Sequence, residues 1–117
     1  MSIATTISTH VLDTSLGKPV PNIAVMLDRV DARGVATRIS SHITNADGRI
    51  ATLAPSDGEL LAGSYRLTFA VASYFAESQR KSFYSVIRID FEVGDEPQHY
   101  HVPLLLNPFG YSTYRGS

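Results

Sequence analysis

Hydrophobic and polar residues alternate with a period of two along several short segments of this chain. In residues 87–93 hydrophobic side chains alternate with charged ones, and the hydrophobic members are Ile87, Ile89, Phe91 and Val93. Residues 64–71 show the same period, with hydrophobic members Tyr65, Leu67, Phe69 and Val71. A period of two is that of a β-strand that buries one face. Val, Ile and Thr make up 26 of the 117 residues, which also favours strands.

Turn-forming sequences separate these segments at short intervals. They lie at residues 16–19, 31–34, 45–48, 55–58, 94–97 and 107–110. Short strands with regularly spaced turns are typical of an antiparallel β-sandwich or barrel. The one predicted helix is brief, over residues 74–81. Because no repeat, low-complexity tract or linker interrupts the chain, we predict a single domain over residues 1–117.

Two of the predicted strands have an outer face that is badly suited to water. In residues 99–106 one face is the predicted core face, formed by Tyr100, Val102, Leu104 and Leu106. The other face combines two histidines with apolar residues: His99, His101, Pro103 and Leu105. The first strand has the same character, since its outer face carries Ser8, His10 and Leu12. Such a surface predicts a covering partner, most simply another subunit.

Composition and charge exclude several classes of function. Lys and Arg number 10 and Asp and Glu 11, which gives a net charge of −1 at pH 7. Nucleic acid and anionic membrane are therefore not expected as partners. No segment approaches the ~20 apolar residues of a membrane span. The absence of cysteine excludes disulfides, thiolate metal sites and cysteine nucleophiles. The first residues show no secretory signal, so we expect a cytoplasmic protein.

The candidate chemistry lies in the histidines. His10, His99 and His101 share faces of the same character, and imidazole suits proton transfer near neutral pH. His99 and His101 point the same way along a strand, a spacing that zinc sites also use, with His10 as a third possible ligand. No acidic residue stands beside the pair, which weakens the metal hypothesis. His42 lies on the polar face of its strand and is interpreted as solvated.

The last four residues of the chain resemble the signature of a known protein family. Tyr114-Arg115-Gly116-Ser117 resembles the signature tetrapeptide of the 5-hydroxyisourate hydrolases, the transthyretin-related enzymes of urate breakdown. Other segments also resemble that family, and they are residues 10–13, 17–19, 44–49, 73–75, 82–84 and 99–113. The resemblance therefore spans essentially the whole chain. Asn107 and Ser85 depart from residues that are commoner in the family, serine and proline, but neither lies in a site motif.

The resemblance implies a fold and an assembly. The fold is all-β: a transthyretin-like β-sandwich of two antiparallel sheets, about eight strands in all, with one short helix. Four chains form a homotetramer, a dimer of dimers, with the sites in the channel between dimers. No metal and no organic cofactor is expected.

The resemblance also implies an activity and its residues. The substrate is 5-hydroxyisourate, whose six-membered ring is hydrolysed to 2-oxo-4-hydroxy-4-carboxy-5-ureidoimidazoline, which a decarboxylase then uses on the way to allantoin. Carried over by position, the catalytic residues are His10, Arg49, His101, Tyr114 and Ser117. The residues expected to bind the substrate are His10, Arg49, Tyr114, Arg115 and Gly116. His99 is placed at the rim of the site without a role.

Each implied residue type suits one requirement of ring opening. A neutral imidazole, that of His10 or of His101, can deprotonate water. The planar guanidinium of Arg49 can bind the oxyanion and the anionic ring. A channel closed by the tail would exclude bulk water.

Two alternatives remain at this point: a carrier of the transthyretin kind with the same fold, and a zinc hydrolase that uses His10, His99 and His101.

Overall fold

The computed structural model describes residues 4–53 and 60–117. These residues form ten strands and one helix, in the order β1 (Thr6–Asp13), β2 (Lys18–Pro19), β3 (Ala24–Val30), β4 (Ala36–Ile43), β5 (Arg49–Ile50), β6 (Gly63–Ala70), α1 (Ala72–Glu77), β7 (Val86–Val93), β8 (His99–His101), β9 (Leu104–Asn107) and β10 (Gly110–Thr113). The predicted turn at 55–58 lies outside the described residues.

The strands form two sheets, and β1 is the centre of the first. That sheet has the order β10-β9-β1-β2, and β5 and β8 also pair with β1. The second sheet has the order β4-β3-β6-β7 and is antiparallel throughout. The predicted β-sandwich with one short helix is thus confirmed. The first sheet is mixed, because β1 runs parallel to β8 and β9 and antiparallel to β2 and β5.

The core between the sheets is made of the faces that the alternation predicts. From β1 it takes Ile7 and Val11, both fully buried. The other predicted core residues are also buried, and they are Tyr65, Leu67, Phe69, Val71, Ile87, Ile89, Val93, Tyr100, Val102, Leu104 and Leu106. Phe91 is partly buried against this cluster. Because the core fixes which face of each strand turns inward, it also fixes which side chains reach the outer face of β1.

The predicted exposure of His42 on β4 is wrong. Its register with β3 shifts between Leu27 and Asp28, so that one residue of β4, Ile39, has no partner in the pairing. This irregularity reverses the alternation that follows. His42 pairs with the core residue Val25 and is half-buried, whereas Ile43 lies on the outer face and is 65% exposed. His42 is therefore not the solvated side chain that was expected.

The helix also differs from the predicted range of 74–81, since α1 runs over Ala72–Glu77. Gln79 adopts a left-handed conformation with φ of 57°. The backbone N–H of Arg80 then donates to the carbonyl of Phe75 at 3.0 Å, a bond that ends a helix. No helix in the described part of the chain is long and apolar enough to cross a membrane.

A buried carboxylate ties the end of β1 to this helix. Asp13 accepts hydrogen bonds from Arg80 at 2.7 Å, from the Tyr74 hydroxyl at 2.6 Å and from the Ser15 hydroxyl at 2.5 Å. Burial alone would raise the pKa of Asp13, but these donors outweigh burial and hold that pKa well below its usual range. The carboxylate therefore stays charged and fixes the strand that carries the candidate site.

Candidate active site

Strand β1 is flanked by two strands that bring the predicted residues together. On one side β5 pairs with it so that Arg49 stands directly opposite His10. On the other side β8 pairs with it so that His101 stands beside Ser8. Directly paired residues share a face of a sheet, so all four side chains belong to the outer face. Residues far apart in the sequence are thus gathered around one strand.

A tight turn places Arg49. The side-chain oxygen of Asn45 accepts hydrogen bonds from the backbone N–H groups of Asp47 at 2.9 Å and Arg49 at 3.0 Å. Gly48 has φ of 75°, and a Cβ there would lie 2.5 Å from the carbonyl oxygen of Val11. Only glycine fits this close approach to β1 without displacement. The predicted turn at 45–48 is confirmed, and its function in the fold is to deliver the arginine beside His10.

The same turn fixes the ring of His10. Its Nε2 lies 2.9 Å from the backbone carbonyl oxygen of Asp47. A carbonyl can only accept, so Nε2 carries the proton and donates it in this bond. The neutral ring of His10 therefore has its lone pair on Nδ1.

The ring of His101 belongs to a chain of hydrogen bonds along the edge between β1 and β8. The Ser8 hydroxyl oxygen lies 2.7 Å from His101 Nδ1 and 2.8 Å from His99 Nε2. His99 Nδ1 in turn lies 2.5 Å from the Thr6 hydroxyl oxygen. His101 thus uses Nδ1 for this chain, and Nε2 is the nitrogen left for a molecule outside it.

The tail lies across His101. The backbone N–H of Gly116 donates to the carbonyl of His101 at 2.8 Å, and the two residues form an isolated β-bridge. A Cβ on Gly116 would lie 2.5 Å from His101 Cδ2. Glycine at this position therefore lets the tail pack directly on the imidazole.

Two residues of the tail point elsewhere in the single chain. The guanidinium of Arg115 stacks on the Tyr100 ring at 4.7 Å from its centroid and donates to Gln98 at 2.7 Å. Tyr114 is 57% exposed and, like Arg115, lines a separate groove bordered by Phe91. The structure therefore brings Gly116 to His101, but not Tyr114 or Arg115.

Arg49 and His101 border a cleft of about 430 Å³, whereas His10 is not among the residues that line it. It is lined by Ser8, Thr9, Asn45, Arg49, Ile50, Ala51, His99, His101 and Ser117. No aspartate or glutamate among the described residues lines it, and no described carboxylate forms an ion pair with Arg49. Among the described residues, the cleft therefore presents the cation of Arg49, which no side-chain carboxylate neutralises, together with hydrogen-bonding side chains. Such a lining suits a small, flat anion.

The electrostatics of the cleft favour a neutral His101. Burial lowers the pKa of His101 below its ordinary value of about 6.5, because the charged ring loses water. The positive charge of Arg49 acts in the same direction, as do the rings of His10 and His99. At neutral pH His101 is thus held in the form that can accept a proton.

Sequence reasoning missed two members of this arrangement. Ser8 was placed on the outer face but was given no role, and His99 was placed at the rim. The structure shows that His99 lines the cleft and that Ser8 joins its ring to His101. The only available signal was that Ser8 precedes His10 by two residues and so shares its face.

The arrangement of donors does not favour the zinc alternative. Within residues 4–53 and 60–117 no group of three or more His, Asp or Glu side chains is disposed to hold a metal ion. His99 Nε2 and His101 Nδ1 are both hydrogen-bonded to the Ser8 hydroxyl.

Comparison with known proteins identifies the family of this chain. The HIUase/Transthyretin family matches residues 7–116. The 5-hydroxyisourate hydrolase of Deinococcus radiodurans is 44% identical over 114 residues, which cover 95% of each chain. The solved structure of Klebsiella pneumoniae 5-hydroxyisourate hydrolase is 42% identical, with a TM-score of 0.83 over 97% of this chain and 99% of that one. Sea bream transthyretin, solved in complex with thyroxine, is 30% identical, with a TM-score of 0.85 over 94% and 93%. The chain therefore belongs to the HIUase/Transthyretin family.

Proposed function

We propose that the protein is a 5-hydroxyisourate hydrolase, which opens the six-membered ring of this anionic, purine-like substrate with water. The observation that carries the proposal is the convergence of His10, Arg49 and His101 around one strand, beneath a tail that packs on His101. The names of the relatives from Deinococcus radiodurans and Klebsiella pneumoniae support the substrate.

His101 is proposed as the general base. Its ring lines the cleft, its Nε2 has no hydrogen bond to any described residue, and its lowered pKa keeps it neutral. Nε2 takes a proton from water as the water oxygen attacks a ring carbonyl carbon. When the adjacent C–N bond breaks, the same proton can pass to the departing ring nitrogen, so that the base is regenerated.

Arg49 is proposed to stabilise the charge that develops on the attacked carbonyl oxygen. Its guanidinium is free of carboxylate partners in the described structure, so its donors are available to the substrate. Donors fixed in a site that excludes water contribute far more than the same donors in water. His10, beside Arg49, is proposed to hold the substrate ring through the Nδ1 atom that its bond to Asp47 leaves open.

The tail is proposed to close the cleft, and a homotetramer is proposed to complete it. Within one chain Gly116 already packs on His101, and Ser117 lines the cleft. Tyr114 is exposed and outside the cleft of its own chain, so its expected contribution requires a neighbouring subunit. Half-buried Leu12 and Leu105 on the outer face of the same sheet would be covered by that subunit. The mass of the protein in solution tests this assembly.

The central experiment is turnover of freshly generated 5-hydroxyisourate, followed by the loss of substrate absorbance against the spontaneous rate. His101→Asn is the active-site variant, and His42→Asn, on the other sheet, is the matched control. Turnover that is lost in the first and kept in the second supports the proposal. Binding of 5-hydroxyisourate or thyroxine without turnover by the unaltered protein would instead indicate a carrier.

Chelation provides the second arm of this experiment. The proposal requires no metal, so dialysis against a chelator should leave the rate unchanged. A rate that is lost on chelation and restored by zinc would show that the histidines act as ligands.

A further inference from the structure

The hydrogen bonds that join β1 to β8 form an unbranched chain that ends on His101. In order, they connect Thr6, His99, Ser8 and His101, with distances of 2.5, 2.8 and 2.7 Å. None of the three residues before His101 has a role in the function proposed above. All bonds in the chain join side chains, and each joins a residue of β1 to a residue of β8.

The chemistry of these groups restricts where the protons lie. The Ser8 hydroxyl has one proton, and it faces two ring nitrogens, so it can donate to only one of them. The other nitrogen must therefore be an N–H that donates to Ser8. If His101 Nδ1 is that donor, Ser8 donates to His99 Nε2, and His99 Nδ1–H donates to Thr6. If His99 Nε2 is that donor instead, every bond of the chain reverses.

The two arrangements differ at the atom that faces the cleft. In the first, the proton of neutral His101 lies on Nδ1 and the lone pair lies on Nε2. In the second, Nε2 carries the proton and cannot accept another. The first arrangement also persists when His101 becomes protonated, because the imidazolium still donates from Nδ1 to Ser8. The second must reverse all its bonds before Nε2 can act as a base.

We propose that Ser8 and His99 are positioning residues that hold His101 in its Nδ1–H tautomer and so present the Nε2 lone pair to the cleft. Ser8 accepts from His101 only while its own proton is directed to His99, so His99 acts through Ser8. The choice of this tautomer and its effect on turnover both rest on the proposed function, but the tautomer can be measured without any assay of turnover. Other charged and titratable groups near His101 are Arg49 and His10, and they favour the neutral ring without selecting its tautomer.

The primary test is the tautomer of His101, measured by long-range 1H–15N correlation NMR of the 15N-labelled protein at pH 7.5. In the unaltered protein His101 should be protonated at Nδ1. In Ser8→Ala the ring should shift to the Nε2–H tautomer that predominates in unconstrained histidine. In His99→Phe it should shift in the same way, because Ser8 then donates to His101. Ser8→Thr should restore the original tautomer.

The second readout is kinetic. In Ser8→Ala and His99→Phe, kcat on 5-hydroxyisourate should fall by about 10–100-fold with KM little changed, the loss typical when a partner that orients a functional histidine is removed. Ser8→Thr should recover most of kcat. The matched controls are Ser41→Ala and His42→Phe, which lie on β4 of the other sheet and should leave both the tautomer and kcat unchanged.

The outcomes separate this proposal from the proposed function. An Nε2–H tautomer in the unaltered protein, or an Nδ1–H tautomer that survives in Ser8→Ala, would overturn the positioning role even if turnover is normal. If the unaltered protein shows no turnover but the tautomer shifts as expected, the positioning role stands and the substrate assignment fails. A loss of kcat in Ser41→Ala as large as in Ser8→Ala would attribute the effect to stability and overturn the proposal.

Discussion

Replacing Gly116 by alanine tests whether the tail acts through its contact with His101. The added Cβ would lie 2.5 Å from Cδ2 of the imidazole and 3.2 Å from its Cγ. Carbon atoms in contact sit about 3.5–4.0 Å apart, so the tail or the ring must move by about 1 Å. If the ring moves, its 2.7 Å bond to Ser8 is strained; if the tail moves, the 2.8 Å bond from Gly116 to the His101 carbonyl is lost.

Either displacement should lower the rate of turnover strongly and should change the stability of the fold little. A reacting group displaced by about 1 Å can lose about 10²-fold in rate, so we expect kcat of Gly116→Ala to fall by about 10²-fold. The residue lies outside the two sheets and the hydrophobic core, so the temperature of unfolding should change little. The assay is turnover of 5-hydroxyisourate together with thermal unfolding of the same samples.

A second glycine supplies the control for this substitution. A Cβ on Gly110 would meet Asn107 at 3.7 Å, which is ordinary contact, so Gly110→Ala should keep its turnover. If Gly116→Ala retains the kcat of the unaltered protein, the tail does not act by packing on His101, and the proposed closure of the cleft is wrong.

Four further predictions use the same assays. His10→Asn and His101→Asn should each lower kcat by roughly 10²–10⁴-fold, while His42→Asn stays near the unaltered rate; equal losses in all three would contradict the assignment. Since the pKa of His101 lies below its ordinary value of about 6.5, the ring stays neutral to lower pH than usual, so the midpoint of the acid-side fall in kcat/KM should lie below about pH 6.5; a midpoint above pH 7 would exclude His101 as the base. A chain that ends at Thr113, without residues 114–117, should fold but lose at least about 10²-fold in kcat; normal turnover would remove the tail from the mechanism. Arg80→Met leaves the buried Asp13 carboxylate without its cation and should lower the free energy of unfolding in chemical denaturation; an unchanged value would show that the tyrosine and serine donors suffice.

The alternation of hydrophobic and polar residues and the turn-forming residues predict those parts of the fold that are determined by residues adjacent in the sequence. The core faces of β6, β7 and β9 follow directly from a period of two, and the turn that delivers Arg49 follows from Asn45 and Gly48. The predicted face of β4 was wrong because an irregularity at Ile39 depends on how β4 meets β3. The predicted helix ended too late because Gln79 adopts a left-handed conformation that no local signal required.

The grouping of His10, Arg49 and His101 around one strand was predictable, whereas their connections and the placement of the tail were not. Family resemblance placed His10, Arg49 and His101 together, and the structure brings them to one strand. The bond between Ser8 and His101 joins residues 93 positions apart, through a parallel pairing that periodicity does not encode. The stacking of the Arg115 guanidinium on the Tyr100 ring was equally unpredictable, because it depends on three-dimensional packing.

The chemistry of the cleft depends on strand register as much as on residue type. A slip of β8 by one residue against β1 would place Ile7 or Thr9 beside His101 in place of Ser8, on the wrong face of the sheet. A slip of β1 itself would turn His10 inward and expose Val11, which is fully buried. Burying an imidazole without partners and exposing a core side chain are both costly. The apolar residues of β1 therefore do more than stabilise the sandwich: by fixing the register, they align Ser8 with His101 and His10 with Arg49.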